Sequence, residues 1–132
     1  MSENKVSYAG QVVVITGAAR GIGAATARLV AERGGKVFAL DIARDGLTAL
    51  QKELSLPDNQ VATIDLGSQT SVKDNIDAIF KLTGRIDALI NTAGVVGPTN
   101  VKVEDVKWED FESTVRINLF GTVWLTQAVV PH

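Results

Sequence analysis

The feature that most constrains this chain is a glycine-rich turn between a short apolar strand and a helix. The turn reads Thr16-Gly17-Ala18-Ala19-Arg20-Gly21-Ile22-Gly23. The preceding residues, 11–16, are mostly β-branched and apolar, which is typical of a strand buried on both faces of a parallel sheet. The following residues are good helix formers, and Gly34-Gly35 ends their run before a second apolar strand at 36–40. The sequence therefore predicts a βαβ unit with glycines at its first turn.

The spacing of these glycines suits a bound phosphate group. A Cβ would forbid the backbone angles of a tight turn and would keep a pyrophosphate away from the main-chain N–H groups. The helix N-terminus adds roughly half a positive charge directed at the same place. The spacing is Gly-x-x-x-Gly-x-Gly rather than Gly-x-Gly-x-x-Gly, and a purely structural turn is the alternative interpretation. The flanking strand and helix favour nucleotide binding over that alternative.

Asp41 follows the second strand, about 20 residues beyond the glycines, where the ribose of a bound adenosine would lie. A carboxylate there can accept hydrogen bonds from the ribose hydroxyls and would repel a 2′-phosphate. Arg20 and Arg44 favour the opposite choice, because either side chain can meet a 2′-phosphate. A solvated loop aspartate is the alternative interpretation of Asp41. Because Asp41 would adjoin the ribose directly, we expect NAD as the cofactor, with NADP as the second choice.

Strands and helices continue to alternate along the chain. The sequence predicts a third strand at 60–64, a third helix capped by Ser68 and ended by Gly84, and a fourth strand at 88–90. Such alternation predicts a single α/β domain over 1–132, with a parallel sheet. The expected buried faces are Ile22, Ala25 and Leu29 in the first helix, Leu47, Leu50 and Leu54 in the second, and Val72, Ile76, Ile79 and Phe80 in the third.

A long final helix is expected from about 106 to 130, after a loop at 95–107. One face would carry Phe111, Val115, Leu119 and Val123, but beyond Arg116 apolar residues occur on nearly every side. A helix that is apolar all round is normally buried all round. One face can cover the sheet, so we expect the other to need a further layer or a partner subunit, as in a homo-oligomer. We expect Trp108 and Trp124 to be packing residues.

Composition argues against several function classes. The chain has 132 residues and a net charge of −2, with no basic block for nucleic acid. No apolar run approaches the roughly 20 residues that cross a membrane, and Met1–Lys5 is polar rather than a signal peptide. There is no cysteine, and the one histidine is His132, so we expect no metal site. We therefore expect a cytoplasmic protein without a nucleic-acid or membrane partner.

The motifs, in their order, resemble those of the short-chain dehydrogenase/reductase family over residues 11–132. Besides the glycine turn, Asp65-Leu66 resembles the family's pair at the adenine ring, and Asn91-Thr92-Ala93-Gly94 resembles its Asn-Asn-Ala-Gly motif. Asn118-Leu119-x-Gly121 resembles the helix motif whose Asn belongs to the catalytic tetrad. The resemblance implies a Rossmann-type doubly wound parallel sheet, truncated after the long helix that follows the fourth strand.

The resemblance also implies a set of site residues. Asn118 would be catalytic, at a helix kink where it positions a water; a helix-interior Asn bonded to its own backbone is the alternative. The implied cofactor-binding residues are Gly17, Arg20, Gly21, Ile22, Gly23, Asp41, Ile42, Asp65, Leu66, Asn91, Ala93 and Gly94.

Two departures from the family pattern stand out. Thr92 replaces the second Asn of its motif, which changes a structural hydrogen bond. The family's catalytic Ser and Tyr-x-x-x-Lys are missing: Tyr8 is the one tyrosine, and Val12 stands where the lysine would be. We expect these groups beyond His132. The implied function is hydride transfer between a nicotinamide and an alcohol or ketone, with this chain as the cofactor-binding half. A non-catalytic NAD-binding module and a self-associating fragment are the alternatives.

Overall fold

A computed structural model describes residues 6–132 of the chain. The prediction that Met1–Lys5 is not a signal peptide lies outside the described residues. Nine main elements follow one another: β1 (Val12–Thr16), α1 (Gly21–Glu32), β2 (Lys36–Asp41), α2 (Arg44–Leu54), β3 (Val61–Thr63), α3 (Gln69–Thr83), β4 (Ala88–Asn91), α4 (Trp108–Val115) and α5 (Gly121–Val129). A π-helical turn, Arg116–Phe120, joins α4 to α5, and short 3-10 turns occupy Asp58–Gln60 and Val103–Asp105. The predicted alternation of strands and helices is confirmed.

The four strands form one parallel sheet in the order β3-β2-β1-β4. In the centre, Val14 of β1 is paired with Phe38 of β2 on one side and with Leu89 of β4 on the other. Successive side chains of a strand point to opposite faces, so the apolar residues of β1 pack on both faces of the sheet. The predicted doubly wound parallel sheet is therefore confirmed.

Each face of the sheet is covered by its own pair of helices. Val13 and Ile15 of β1 belong to a core with α1 and α2, whereas Val12 and Val14 belong to a second core with α3 and α5. These β1 side chains are at most 5% exposed. Helices on both faces leave the carboxyl ends of the strands as the edge at which loops gather.

The predicted helix ends are confirmed. Ser68 caps α3 by accepting a hydrogen bond on its Oγ from the main-chain N–H of Ser71, at 3.2 Å. Gly84 ends α3 with φ +70°, and Gly34 follows α1 with φ +83°. Both glycines adopt the left-handed conformation that other residues rarely adopt. The third strand is shorter than predicted, because Gln60 belongs to a 3-10 turn and because Thr63 pairs with Asp41, the last residue of β2.

The predicted buried face of α1 is wrong. Ile22 is 77% exposed and Leu29 is 41% exposed, and Ala25 is exposed as well. The buried residues of α1 are Gly23, Ala24, Ala27 and Val30. The glycine turn decides this phase, because a Cβ on Gly23 would lie only 2.1 Å from the Gly17 carbonyl oxygen. The helix thus presents its smallest residues to the sheet, which allows a close approach.

The predicted long helix exists, but its buried face differs from the prediction. Phe111, Leu119 and Val123 are exposed, whereas Leu125 is fully buried in the core with α3. The π-helical turn is the physical reason. There the Gly121 N–H bonds to the Arg116 carbonyl, five residues back, so the face of α4 does not continue into α5.

The two tryptophans have different surroundings. Trp124 packs against the core as predicted. Trp108 is 70% exposed and contacts Phe111, with 5.3 Å between their ring centroids, so its predicted packing role is limited to that contact. Within residues 6–132, no helix combines the length and the apolarity that crossing a bilayer requires.

Candidate functional site

A cleft of about 410 Å³ opens at the carboxyl ends of the strands. It lies where connections from β1 and from β4 leave toward opposite faces of the sheet, the usual ligand position in open α/β sheets. Larger hollows of about 530 and 450 Å³ lie beside β3 and between α3 and α5, away from the glycine turn. The cleft is lined by Gly17, Arg20, Gly21, Ile22, Gly23, Asp41, Ile42, Ala43, Ile64, Asp65, Leu66, Thr92, Ala93, Gly94, Val95 and Ile117.

The three glycines of the turn have different surroundings. A Cβ on Gly17 would lie 2.7 Å from the main-chain nitrogen of Ala93, and one on Gly23 would collide with Gly17 itself. Gly21 has φ +55°, and a Cβ there would meet nothing within 4 Å. Gly17 and Gly23 are therefore required by chain packing. Gly21 presents bare backbone to open space at the cleft, as a phosphate cradle requires.

The N-terminus of α1 faces this cleft without a protein cap. Arg20 is the N-cap residue, its side chain makes no capping hydrogen bond, and the first turn contains no acidic residue. The first main-chain N–H groups of a helix have no partner within the helix. Together with the helix dipole, they form a donor set that fits the phosphates of a dinucleotide.

The Asp41 carboxylate is tied to the main chain on both sides. Its Oδ2 accepts a hydrogen bond from the Ala19 N–H at 3.0 Å, and its Oδ1 accepts one from the Ala43 N–H at 2.9 Å. An ionised carboxylate offers about four acceptor positions, so two remain for ligand hydroxyls. Gly46 reinforces the arrangement, since a Cβ there would lie 2.8 Å from the Ala19 oxygen.

The segment directly after the third strand contributes the floor of the cleft on the same side. Ile64 and Leu66 are 2% and 5% exposed, and they line the cleft beside the exposed Asp65. The Asp65 main-chain N–H donates to Ser71 Oγ at 3.0 Å, which joins this loop to the first turn of α3. The result is an apolar surface next to Asp41, suited to a flat ring such as a nucleobase.

The end of β4 departs from the prediction at one position. Ala93 and Gly94 line the cleft, but Asn91 does not. The Asn91 side chain accepts a hydrogen bond from Thr16 Oγ1 and donates one to Thr122 Oγ1 at 2.9 Å. Sequence reasoning grouped Asn91 with its motif neighbours, but Asn91 is the last residue of β4 and its side chain is bonded to Thr16 and Thr122. Residues 92–94 follow the end of the strand, where the cleft opens.

Thr92, which replaces the second Asn of the family motif, makes a structural hydrogen bond of its own. Its Oγ1 donates to the Thr16 carbonyl at 2.7 Å and lies 2.6 Å from where a Cβ on Gly23 would be. Thr92 therefore joins β4 to β1 directly beneath the glycine turn.

Asn118 lies in the π-helical turn and clamps the loop after β4. Its Nδ2 donates to the Val95 carbonyl at 2.7 Å, and its Oδ1 accepts from the Val95 N–H at 2.8 Å. The alternative of a side chain bonded to its own helix backbone is therefore wrong. Asn118 does not itself line the cleft, but Val95 does.

The structure thus brings all the predicted cofactor-binding residues except Asn91 to one cleft. Sequence reasoning missed five lining residues: Ala43, Ile64, Thr92, Val95 and Ile117. Each is a direct neighbour of a predicted site residue in the sequence, which is the one signal that pointed to them. Arg44 lies outside the cleft, in a separate depression with Thr48 and Asp58.

The fold and the cleft define a Rossmann-type α/β protein, and comparisons with known proteins agree. The sequence model of the family described as short chain dehydrogenase matches residues 11–132. Over 125 residues the chain is 35% identical to 3-oxoacyl-(acyl-carrier-protein) reductase FabG of Thermotoga maritima, covering 93% of this chain and 50% of that protein. Over 122 residues it is 38% identical to D-threitol dehydrogenase of Mycolicibacterium smegmatis, covering 91% and 46%.

Solved structures show the same likeness. A metagenomic short-chain oxidoreductase in complex with NADP has a TM-score of 0.85 and 30% identity, over 96% of this chain and 57% of that one. A structure from Pseudomonas syringae described as a short chain dehydrogenase has a TM-score of 0.88 and 29% identity, over 98% and 55%. The chain belongs to the short chain dehydrogenase family, whose members bind nicotinamide cofactors. It spans about half the length of the curated relatives it matches.

Proposed function

We propose that this chain binds NAD in the cleft and forms the cofactor-binding half of an oxidoreductase. The observation that carries the proposal is the meeting of three features in one cleft. They are the uncapped N-terminus of α1, the open face of Gly21 and the carboxylate of Asp41. Each feature alone has a structural explanation, but together they match the phosphates and the ribose of a dinucleotide.

The chain's own residues divide the cleft into regions. The main-chain N–H groups at 21–23 would hold the pyrophosphate. Asp41 would accept hydrogen bonds from the ribose hydroxyls, and Ile42, Asp65 and Leu66 would surround the adenine. Ala93, Gly94 and Val95, at the opposite end, would then receive the nicotinamide half. When bound, the cofactor would supply or accept the hydride exchanged with an alcohol or ketone.

NAD is the preferred cofactor in this proposal. The Asp41 carboxylate lines the cleft, and its negative charge would lie beside a 2′-phosphate. Arg20 also lines the cleft and is the residue that favours NADP. We give Asp41 more weight than Arg20 in the choice of cofactor, because two main-chain hydrogen bonds hold the Asp41 carboxylate in position.

Proton transfer needs groups that this cleft does not offer. As far as residues 6–132 are concerned, its lining contains no tyrosine, lysine or histidine. Tyr8 packs against the core on the α1 side instead. We therefore place the acid–base groups in a further part of the full-length protein, and we assign Asn118 a role in positioning the cleft wall.

Titration with NADH tests the proposal directly. We expect saturable enhancement of NADH fluorescence on adding the chain, with NADPH binding more weakly. A signal that rises linearly without saturation would overturn the proposal and leave the self-associating fragment as the explanation. Assay of the full-length protein with secondary alcohols and NAD then separates an enzyme from a non-catalytic NAD-binding module.

We also propose that the protein self-associates through the helical segment 106–130. Support comes from the exposed apolar side chains of that segment, which include Phe111, Leu119, Phe120 and Val123. Exposed apolar patches of this kind mark interaction surfaces in many proteins. A cytoplasmic location remains a prediction.

A further inference from the structure

A line of hydrogen bonds crosses from the core strand to the final helix behind the cleft. Thr16 Oγ1 donates to Asn91 Oδ1, and Asn91 Nδ2 donates to Thr122 Oγ1 at 2.9 Å. Thr122 Oγ1 in turn donates to the main-chain carbonyl of Asn118 at 2.7 Å. The line starts at the fully buried Thr16 and ends at the exposed π-helical turn.

The proton positions in this line of hydrogen bonds fix which groups donate and which accept. A hydroxyl carries one proton, and Thr122 gives its proton to Asn118, so it can only accept from Asn91. The Asn91 amide is then oriented with its NH₂ toward Thr122 and its oxygen toward Thr16. Loss of the Thr122 hydroxyl would therefore leave the Asn91 NH₂ without this acceptor.

Both ends of the line reach the cleft through a neighbouring residue. Thr16 directly precedes Gly17, which lines the cleft. At the other end, the Asn118 side chain is hydrogen-bonded to the main-chain N–H and carbonyl of Val95. Val95 lines the cleft on the β4 side. Thr122 is the one contact in this line between β4 and the π-helical turn.

We infer that Thr122 is a positioning residue for the nicotinamide end of the cleft. By bridging Asn91 and Asn118 it fixes the π-helical turn relative to β4, and so fixes where Val95 lies. This inference rests on the proposed function, since it needs the cofactor to lie with its nicotinamide half on the β4 side.

The test compares two valine variants in the same helix. Thr122→Val keeps the side-chain shape and removes the hydroxyl. Thr126→Val is the matched control, because Thr126 Oγ1 makes the same kind of bond, to the Thr122 carbonyl at 2.8 Å, without a second partner in β4. Both threonines are exposed, so both variants should fold. Each is titrated with NADH and with ADP-ribose, which lacks the nicotinamide.

The expected result is a loss that is selective for one half of the cofactor. Thr122→Val should raise the Kd for NADH roughly three- to tenfold, as removal of a hydrogen bond does, and leave the Kd for ADP-ribose unchanged. Thr126→Val should change neither. Thr122→Ser, which keeps the hydroxyl, should restore NADH binding. If Thr122→Val fails to fold, Thr122→Ala must show the same selective loss.

Two outcomes would overturn the inference. One is a Kd for NADH that is the same in the Thr122 and Thr126 variants. The other is an equal weakening of NADH and ADP-ribose, which a merely structural role would produce. A wild-type chain that binds neither molecule would overturn the proposed function itself, and this inference with it.

Discussion

Asp41 Oδ2 accepts a hydrogen bond from the main-chain N–H of Ala19, with 3.0 Å between the two atoms. This bond joins the end of β2 to the glycine turn after β1. The negative charge that would select the ribose is therefore fixed to the backbone that would hold the phosphates. Cofactor choice and the shape of the turn are thus coupled through a single side chain.

Asp41→Ala should weaken NADH binding by about tenfold, because charge-assisted hydrogen bonds to the ribose are lost. Binding of NADPH should fall much less, since the charge that repels the 2′-phosphate is removed too. Fluorescence titration with both cofactors measures the ratio. Asp45→Ala, an exposed change in the first turn of α2, is the control and should leave the ratio as it is. An unchanged ratio in Asp41→Ala would show that Asp41 has no part in selectivity.

Gly21→Ala should abolish NADH binding while lowering stability by only about 1 kcal/mol. The added Cβ meets no protein atom within 4 Å, so the cost is that of φ +55° alone, but the methyl group occupies the mouth of the cradle. Gly84→Ala is a matched control, with φ +70°, no contact within 4 Å and a position away from the cleft. Urea unfolding and NADH titration of both variants separate the two effects. Full NADH affinity in Gly21→Ala would contradict the cradle.

In the Asp87→Asn variant, the free energy of unfolding should fall less at acid pH than it does in the wild-type chain. In the folded chain, hydrogen bonds from Arg85 and from the Val12 N–H lower the pKa of Asp87 below its ordinary value of 3.8. A lowered pKa contributes stability above the unfolded value, and this contribution disappears as pH falls through the folded value. Urea unfolding between about pH 5 and pH 2 should therefore show a smaller change in the variant. Asp74→Asn, an exposed change on α3, is the comparison, and equal pH dependence in both variants would count against the assignment.

Ser68→Ala should lower the free energy of unfolding by about 1 kcal/mol, because the N-cap of α3 is lost. Thr70 is the exposed second residue of α3, and Thr70→Ala should lower the free energy of unfolding by less. Urea unfolding measures both values. Equal values would mean that the cap contributes nothing beyond helix propensity.

Val123→Glu should shift the protein toward the monomer if the final helix mediates self-association. Val123 is 45% exposed among other apolar residues of the same segment. Sedimentation velocity measures the change. Leu82→Glu, at a similarly exposed position of α3, should leave the oligomeric state unaltered. A wild-type chain that sediments as a monomer would exclude this interface in the isolated chain.

Much of the fold was predictable because its signals are local. A run of β-branched apolar residues specifies β1, the glycines specify the turn, and a run of good helix formers specifies α1. None of these signals depends on the rest of the chain. The cap at Ser68 and the left-handed ends at Gly34 and Gly84 are equally local. Asp41 was placed at the cleft because it follows the second strand about 20 residues beyond the glycines. Asp65 was placed there by the resemblance to the family.

Other features depend on contacts between distant segments. The prediction that Ile22 and Leu29 lie on the buried face of α1 was wrong. The buried face is decided by the close approach of Gly23 to Gly17, two positions whose contact the helical periodicity does not show. The buried face of α5 depends on the π-helical turn, which no periodicity in the sequence indicates. The place of Asn91 depends on Thr16 and Thr122, which lie on other elements.

The sequence by itself determined the order of the elements, the parallel α/β class, and the glycine and carboxylate groups at the cleft. Only the tertiary structure decided which side chains enter the cleft and which hold its walls from behind. The physical reason is range: propensity and turn chemistry act over a few neighbouring residues, whereas helix phase and side-chain hydrogen bonds are settled when distant segments pack together.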